Sequence, residues 1–514
     1  MALTAENTLL VASVAPASNA EAVLAREALA DLPASAAVEL RLDGFAEEPA
    51  FSALRACFEG KTLIATVRST SEGGAFRGQA GEAQRLLSKA LDAGFDLVDV
   101  EFRRDGGDEA TRIPPSKKVL SLHDPEGIPA DMSALVARML AMPARFVKVV
   151  ATANDSGDAR RLLELQAAHR DGRLSIFGMG EAGIATRALA PYFGAALAYG
   201  ALLPGCVTAP GQQLARDLAE IYGVARPRSV SRLFGLLGGV VSHSLSPALH
   251  NANFEALGLD ALYVPFAMRM LGRELEPLVT SLDALGLPLV GASVTIPFKE
   301  EAALVSGTAE DGERAVNTLL RSSGPGQPLR LRGENTDREA FEALIEGAGV
   351  ALVLGAGGTA RVAVDVLRRR GWEVFVANRT EQRGEDLARE TGARALSKKS
   401  EAAWPDVSVI VNATSLGLRS GDPLPCDAAL LRPGVLVIAP YRAGGTELVR
   451  AARAAGARVV DGQTLLLLQA AGQATLFTGR RTAPRDLLER LPSRARLAFA
   501  FFEKPLLALP EISA

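Results

Sequence analysis

The sequence predicts an α/β chain in two parts: an eight-stranded α/β barrel, then a second α/β unit holding a dinucleotide-binding segment. Three observations predict it. Short β-rich runs fall at 8–14, 36–42, 62–68, 95–102, 118–123, 145–151, 174–179 and 196–202. Most are separated by amphipathic segments such as 18–31 and 81–93, at roughly 25-residue spacing, the rhythm of a barrel of parallel strands. Residues 223–231, GVARPRSVS, break the rhythm with Gly, Pro, Arg and Ser and read as a linker. Residues 350–380 then spell strand, glycine-rich turn, helix and strand. An open doubly wound sheet is the alternative reading of the first 220 or so residues, since it shows the same alternation.

Size and composition bound the rest. A chain of 514 residues is too long for one core and predicts two to four domains. At 48% hydrophobic and 22% charged it is ordinary for a globular protein. The net charge of −3 gives no electrostatic case for nucleic acid. Cys57, Cys206 and Cys426 form no CxxC, and the histidines number four, so neither a disulfide scaffold nor a metal centre is expected. No apolar stretch reaches about 18 residues, so no membrane span is expected. The run TLLVASVAPA at 8–17 lacks the preceding basic residues of a signal peptide and reads as a first buried strand. The expectation is a cytoplasmic protein.

In the barrel part the strand ends carry polar residues, where barrels place their chemistry. The second strand ends with Glu39, Arg41 and Asp43, the third with Arg68 and Glu72, the fourth with Glu101, the fifth with His123 and Asp124. Any one of these also reads as a rim charge. Lys148 does not. Two-residue alternation puts Phe146, Lys148 and Val150 on one face of an apolar strand. A lysine buried there is costly unless it sheds its proton, and a desolvated amine is what imine chemistry with a ketone requires.

These residues resemble type I 3-dehydroquinate dehydratase across nearly all of 6–222. The carriers are ELRLD at 39–43, TVR with EGG at 66–74, SLHD at 121–124, VK at 147–148, MGEAGIATR at 179–187 and TAPGQ at 208–212. The resemblance implies a TIM barrel in which Lys148 forms a Schiff base with the ring ketone. It implies that His123 takes the neighbouring proton and that Glu72 orients the histidine. It places Glu39, Arg41 and Arg68 along the substrate, Arg187 on its carboxylate, and Thr208 and Gln212 on a closing loop. Serine is commoner than threonine at position 208.

In the second part, Ser244 and Ser246 before Pro247 read alone as a helix start. Lys299, just beyond a strand in GASVTIPFKE, reads alone as a solvated charge. AVNTLL at 315–320 and GENTD at 333–337 add Asn, Thr and Asp337, which suit a polyhydroxylated ligand with an acid/base pair. The turn Gly355, Ala356, Gly357, Gly358, Thr359, Ala360 follows a strand and opens a helix, as a pyrophosphate cradle does. The next strand ends in Asn378, Arg379 and Thr380, without the acid that binds a free ribose hydroxyl; Arg379 and Arg383 point to a 2′-phosphate. The segment 462–478 reads as a long apolar helix packing back on what precedes it.

Together these motifs resemble shikimate dehydrogenase over about 232–480. The resemblance implies a Rossmann-type NADP(H)-binding domain and a separate shikimate-binding domain. It assigns Ser244, Ser246, Thr295, Asn317, Tyr441 and Gln469 to substrate, Lys299 and Asp337 to catalysis, and Asn412, Thr414 and Ser415 to the cofactor side. The chain departs from the family at Ser293, Arg338, Ile438, Pro440 and Thr464. The expected division is 1–224 for the barrel, 225–231 for the linker, 232–337 with 463–505 for shikimate, and 338–462 for NADP(H). A fused dehydratase and dehydrogenase acting on small molecules is the expectation, without metal, nucleic acid or membrane. A quinate dehydrogenase is the near rival. A metabolite-sensing regulator built from inactive copies is the far one, and the retained Lys148, His123, Lys299 and Asp337 argue against it.

Overall fold

A computed structural model describes residues 2–105, 113–169, 171–310, 314–397, 404–417, 419, 421–439 and 445–492. The chain forms two compact units: 1–247 with 258–290 and 325–327, and 248–257 with 291–324 and 328–514.

The first unit contains the eight parallel strands in the expected order: β1 (Leu9–Val14), β2 (Ala37–Arg41), β3 (Leu63–Thr66), β4 (Leu97–Glu101), β5 (Lys118–Asp124), β6 (Phe146–Thr152), β7 (Leu174–Met179) and β8 (Leu197–Ala201). Each pairs with its sequence neighbour up to β7, and β1 pairs with β8. This decides for the barrel over the open sheet. The closure is incomplete between β7 and β8, where the sheet order ends. There the Leu197 amide donates to the Ser175 hydroxyl at 2.7 Å, and the Ala196 amide to the Leu174 carbonyl at 3.0 Å. Val11, Ala37, Val119, Val150, Phe177 and Tyr199 fill an interior cluster, the alternation that also turns Lys148 inward.

Two helices of this unit position polar side chains: α1 (Ser156–Ala168) and α2 (Gly180–Leu189). Residues 225–231 are not wholly irregular, since Ser229–Val230 pairs antiparallel with Leu3–Thr4. Beyond them β9 (Arg232–Gly238) and β10 (Ala261–Ala267) run parallel, and α3 (Leu271–Ala284) comes next. Ser156 of α1 donates its amide and hydroxyl to Glu274 of α3 at 3.2 and 2.6 Å, and Ser281 of α3 donates to Glu164 of α1 at 2.7 Å.

β11 (Leu289–Val294) enters the second unit at Gly291, where it, β12 (Thr318–Arg321) and β13 (Leu331–Glu334) form antiparallel ladders through Gly291↔Leu320 and Thr318↔Glu334. Helices α4 (Lys299–Val305) and α5 (Thr336–Leu344) succeed β11 and β13. Then comes a six-stranded parallel sheet of β14 (Val350–Leu354), β15 (Glu373–Ala377), β16 (Arg394–Leu396), β17 (Val409–Asn412), β18 (Leu436–Ile438) and β19 (Arg458–Val460). Its order is β16-β15-β14-β17-β18-β19, the doubly wound arrangement whose reversal between β14 and β17 opens a crevice for a dinucleotide. Helix α6 (Gly358–Arg369) leaves β14, α7 (Glu381–Thr391) leaves β15, and the apolar helix α8 (Gly462–Thr478) packs on α5.

Candidate active sites

At the top of the barrel, burial makes an unpaired charge costly, and most of the charges there are paired. Lys148 is buried, with Asp99 at 2.7 Å and Glu39 at 3.5 Å, and its ammonium lies 4.2 Å from the centre of the Tyr199 ring. The cost of burying this lysine is therefore met by ion pairing, which the isolated strand did not reveal. Arg68 joins the network: its guanidinium reaches Glu72, Glu101 and Ser121 at 3.0 Å each and Asp99 at 2.8 Å. Asp99 carries the charge balance of both cations and is held well below the usual carboxylate range by Arg68 and Lys148 despite its burial.

Glu72 sits where the chain doubles back on itself. Gly74 approaches so closely that a Cβ would lie 2.1 Å from the Arg68 carbonyl oxygen, and Gly73 has φ +82°. This turn presents one Glu72 oxygen to the His123 amide at 3.0 Å and to its Nδ1 at 3.2 Å. Burial raises the Glu72 carboxyl to about 7, against the pull of Arg68. His123 is pushed well below its ordinary value by burial and by the cations Arg68 and Lys148. Its ring is therefore neutral at pH 7, able to accept a proton.

Arg187, also buried, lies over the Phe177 ring at 5.0 Å. Arg41 is engaged by Asp43 at 2.8 Å through both Nε and Nη2. Thr208 and Gln212 are tied to Ser13: Gln212 Nε2 donates to its hydroxyl at 2.8 Å and Thr208 Oγ1 lies 3.0 Å away. Glu72 Oε1, Arg187 Nε and Tyr199 Oη are among the buried polar atoms that have no hydrogen-bond partner among the described residues. Here they gather at one end of the barrel, around Lys148 and His123, where a ligand could satisfy them.

In the second unit, Lys299 at the start of α4 is hydrogen-bonded to Asp337 in the first turn of α5. Asn317 fixes that aspartate, donating to Oδ1 at 3.0 Å, and approaches Gln469 Oε1 at 3.4 Å. The Asn335 side chain caps α5 by accepting the Asp337 amide at 3.1 Å. Lys299 also donates to Thr359 in the glycine-rich turn at 3.2 Å. The cradle fits a pyrophosphate: a Cβ on Gly355 would lie 2.7 Å from the Ala413 carbonyl oxygen, so only glycine passes between β14 and β17. Asn412 organises the facing turn, accepting from Thr414 Oγ1 at 2.7 Å and donating to the Leu416 carbonyl at 3.1 Å; Ser415 is exposed. Asn378 bonds the Thr380 carbonyl at 2.8 Å. Arg379 and Arg383 are exposed and form no ion pair with another described residue.

Thr295 is half-buried beyond β11. Ser244 and Ser246 lie in the first unit, where Ser244 Oγ accepts the Ser246 amide at 3.2 Å. Tyr441 and Pro440 fall outside the described residues. Three departures acquire a use. The Ser293 hydroxyl donates to Gln473 at 2.8 Å, and Gln473 in turn donates to the Asn317 carbonyl at 3.1 Å. Thr464 is held by Asp461, the N-cap of α8. Arg338 pairs with Asp365. Sequence reasoning missed Asp99, Ser121, Tyr199, Ser13 and Gln473. Asp99 was open to detection, being two residues before Glu101 and hence on its inward face.

Fold and geometry define a class: an enzyme with a lysine-centred barrel and a dinucleotide-binding unit that holds a second lysine beside an aspartate. Residues 13–228 match the type I 3-dehydroquinase family, 236–319 the shikimate dehydrogenase substrate binding domain, and 341–416 the shikimate/quinate 5-dehydrogenase family. The chain is similar to the chloroplastic bifunctional 3-dehydroquinate dehydratase/shikimate dehydrogenase of Arabidopsis thaliana: 30% identical over 494 residues, 89% of this chain and 80% of that protein. It is 43% identical over 275 residues to the NADP(+) shikimate dehydrogenase of Rubrobacter xylanophilus, 50% of this chain and 94% of that one. The chain belongs to the family of bifunctional 3-dehydroquinate dehydratase/shikimate dehydrogenases. It is a shikimate-pathway enzyme with a lyase and an oxidoreductase activity in tandem. Among the described residues, no helix is long and apolar enough to cross a membrane and no group of side chains is arranged to hold a metal ion.

Proposed function

We propose that the barrel dehydrates 3-dehydroquinate to 3-dehydroshikimate through an imine on Lys148, and that the second activity reduces this product to shikimate with NADPH. The observation that carries the reading is the setting of Lys148: buried, inward-facing, and ringed by Asp99, Glu39 and the face of Tyr199, in the same barrel as the Glu72–His123 pair. Lys148 attacks the ring ketone as the free amine, and His123 carries the proton lost from its nitrogen to the carbinolamine hydroxyl, which leaves as water to form the imine. His123 removes a proton from the adjacent carbon, the electrons enter the imine, and the neighbouring hydroxyl leaves as water with a proton returned by His123. Hydrolysis then frees Lys148 and the product ketone. Arg187 holds the carboxylate by a charge-assisted fork. Glu39, Arg41 and Arg68 shape the substrate side, and Thr208 and Gln212 close over it.

In the dehydrogenase reading NADPH, when bound, supplies a hydride to the ketone carbon. The chain positions the acceptor and supplies the proton: Lys299 donates to the nascent alkoxide oxygen, and Asp337 aims Lys299. Thr295, Asn317, Gln469, Tyr441, Ser244 and Ser246 contact the substrate. Gly355 to Ala360 cradle the pyrophosphate, Asn378, Arg379, Thr380 and Arg383 surround the 2′-phosphate, and Asn412, Thr414 and Ser415 face the cofactor. Both serines favour shikimate over quinate. The proposed working division is 1–224, a linker at 225–231, 232–337 with 463–505, and 338–462. The test supplies 3-dehydroquinate and NADPH to the purified chain. Shikimate, NADP+ and a borohydride-trapped adduct on Lys148 are expected. Dehydration without a trappable adduct would overturn the imine.

A further inference from the structure

Glu181 stands in the first turn of α2, outside every group assigned above. Its Oε1 accepts the backbone amides of Val241 and Ser242 at 2.5 and 2.7 Å. The bonds continue along the chain beyond these two residues. The Ser244 amide donates to the Val241 carbonyl at 3.2 Å, and the Ser246 amide to the Ser244 hydroxyl at 3.2 Å. Val241 is buried whereas Ser242 is exposed, so the carboxylate grips the point where the chain turns outward from the core. All these residues lie in the first unit.

The turn bearing Glu181 is itself held on its other side. The Gly180 amide donates to the Pro210 carbonyl at 3.0 Å, and a Cβ on Gly211 would lie 2.2 Å from the Gly180 carbonyl oxygen. The backbone at the head of α2 is thus fixed by the loop that carries Thr208 and Gln212. A carboxylate mounted on so fixed a backbone can serve as an anchor.

We infer that Glu181, a residue of the dehydratase barrel, is a positioning residue for the dehydrogenase: it sets the loop that presents Ser244 and Ser246 to shikimate. The inference rests on the proposed role of those serines. Two adjacent amides on a turn need an acceptor, and a carboxylate forms charge-assisted bonds to both. Without it the segment samples other conformations, and substrate must order it on binding. The penalty falls on shikimate affinity, not on hydride transfer or on the cofactor.

The test measures shikimate oxidation by NADP+ in the full chain, for wild type, Glu181→Ala, Glu181→Gln and Ser244→Ala. Glu181→Ala is expected to raise the shikimate KM about 10- to 100-fold, on the scale of losing one charge-assisted hydrogen bond. Saturated kcat and the NADP+ KM stay near wild type. Glu181→Gln, which keeps the acceptor oxygen, restores most of the affinity. A merely structural role would instead lower kcat and both affinities together, and that result overturns the inference. A wild-type shikimate KM in Glu181→Ala does so as well. If Ser244→Ala raises that KM and Glu181→Ala does not, only the Glu181 inference fails; if Ser244→Ala leaves it unchanged, the role of the serines fails with it. Should Glu181→Ala not fold, Glu181→Asp, one methylene short of the amides, must raise the KM or the inference is wrong.

Discussion

Replacing Glu72 with glutamine separates the charge of this residue from its shape. In the folded protein its carboxyl is raised from 4.5 to about 7, first by burial, with Arg68 opposing and Glu101 adding to the rise. The sign comes from linkage. A carboxyl raised on folding contributes stability that is fully present below pH 4.5 and is lost as pH climbs through about 7. That gap, at about 1.4 kcal/mol per pH unit, makes ionised Glu72 cost the barrel roughly 3 kcal/mol at pH 8. Glu72→Gln is neutral at every pH and nearly isosteric. The variant barrel should therefore be more stable than wild type by an amount of that order at pH 8, and close to it at pH 4.5. Hydrogen exchange of the barrel-strand amides at both pH values measures this difference, because it reads opening locally. Function moves the other way. The ionised carboxylate is what accepts from His123 and favours its protonated form, so dehydratase kcat/KM in wild type should rise with pH through about 7. Glu72→Gln should lose about 10²–10⁴ in rate and this acidic limb with it. An unchanged limb in the variant, or equal stabilities at pH 8, would refute the assignment.

Three further outcomes are expected. Lys148→Ala should abolish dehydration and adduct trapping while the reduction of 3-dehydroshikimate persists, checked by assaying each half-reaction alone. Lys299→Ala and Asp337→Ala should each lower dehydrogenase turnover by about 10²–10⁴ and spare dehydration; normal turnover in both variants would remove the pair from catalysis. Arg379→Ala should weaken NADPH about 10- to 150-fold, by loss of a bond of roughly 1.5–3 kcal/mol, with little change for NADH. An equal loss for both cofactors would remove the phosphate clamp.

The barrel was legible because its strands announce themselves twice, by β-rich runs and by polar residues at their ends. The predicted run 174–179 coincides with β7, and the predicted helix 81–93 differs from Ala80–Asp92 by one residue at each end. Lys148 was legible as an anomaly in an apolar strand. What surrounds it was not: Asp99 comes from β4, Tyr199 from β8 and Glu39 from β2, and only closure of the sheet brings them together. The same limit explains Gln473. In sequence it is one of several polar residues on a largely apolar helix, and its partners Ser293 and Asn317 lie 180 and 156 residues away. The segment 18–31 reads as one helix but divides into a short α-helix at Asn19–Leu24 and a 3-10 stretch at Ala25–Asp31, a distinction that periodicity over a few residues does not carry.

The seam between β7 and β8 has a mechanical meaning. β8 takes its register from β1, through ladder pairs from Leu9↔Leu197 to Ser13↔Ala201, whereas β7 meets it only at its start, through the Ala196 amide on the Leu174 carbonyl and the Leu197 amide on the Ser175 hydroxyl. The cylinder is therefore a sheet rolled up and pinned along one edge. Force or heat applied to it should part that edge first, with the eighth strand travelling with the first and the Leu197 amide among the earliest to meet solvent. New chain ends made between Phe193 and Leu197 would fall on this natural parting line, where a cut severs no ladder.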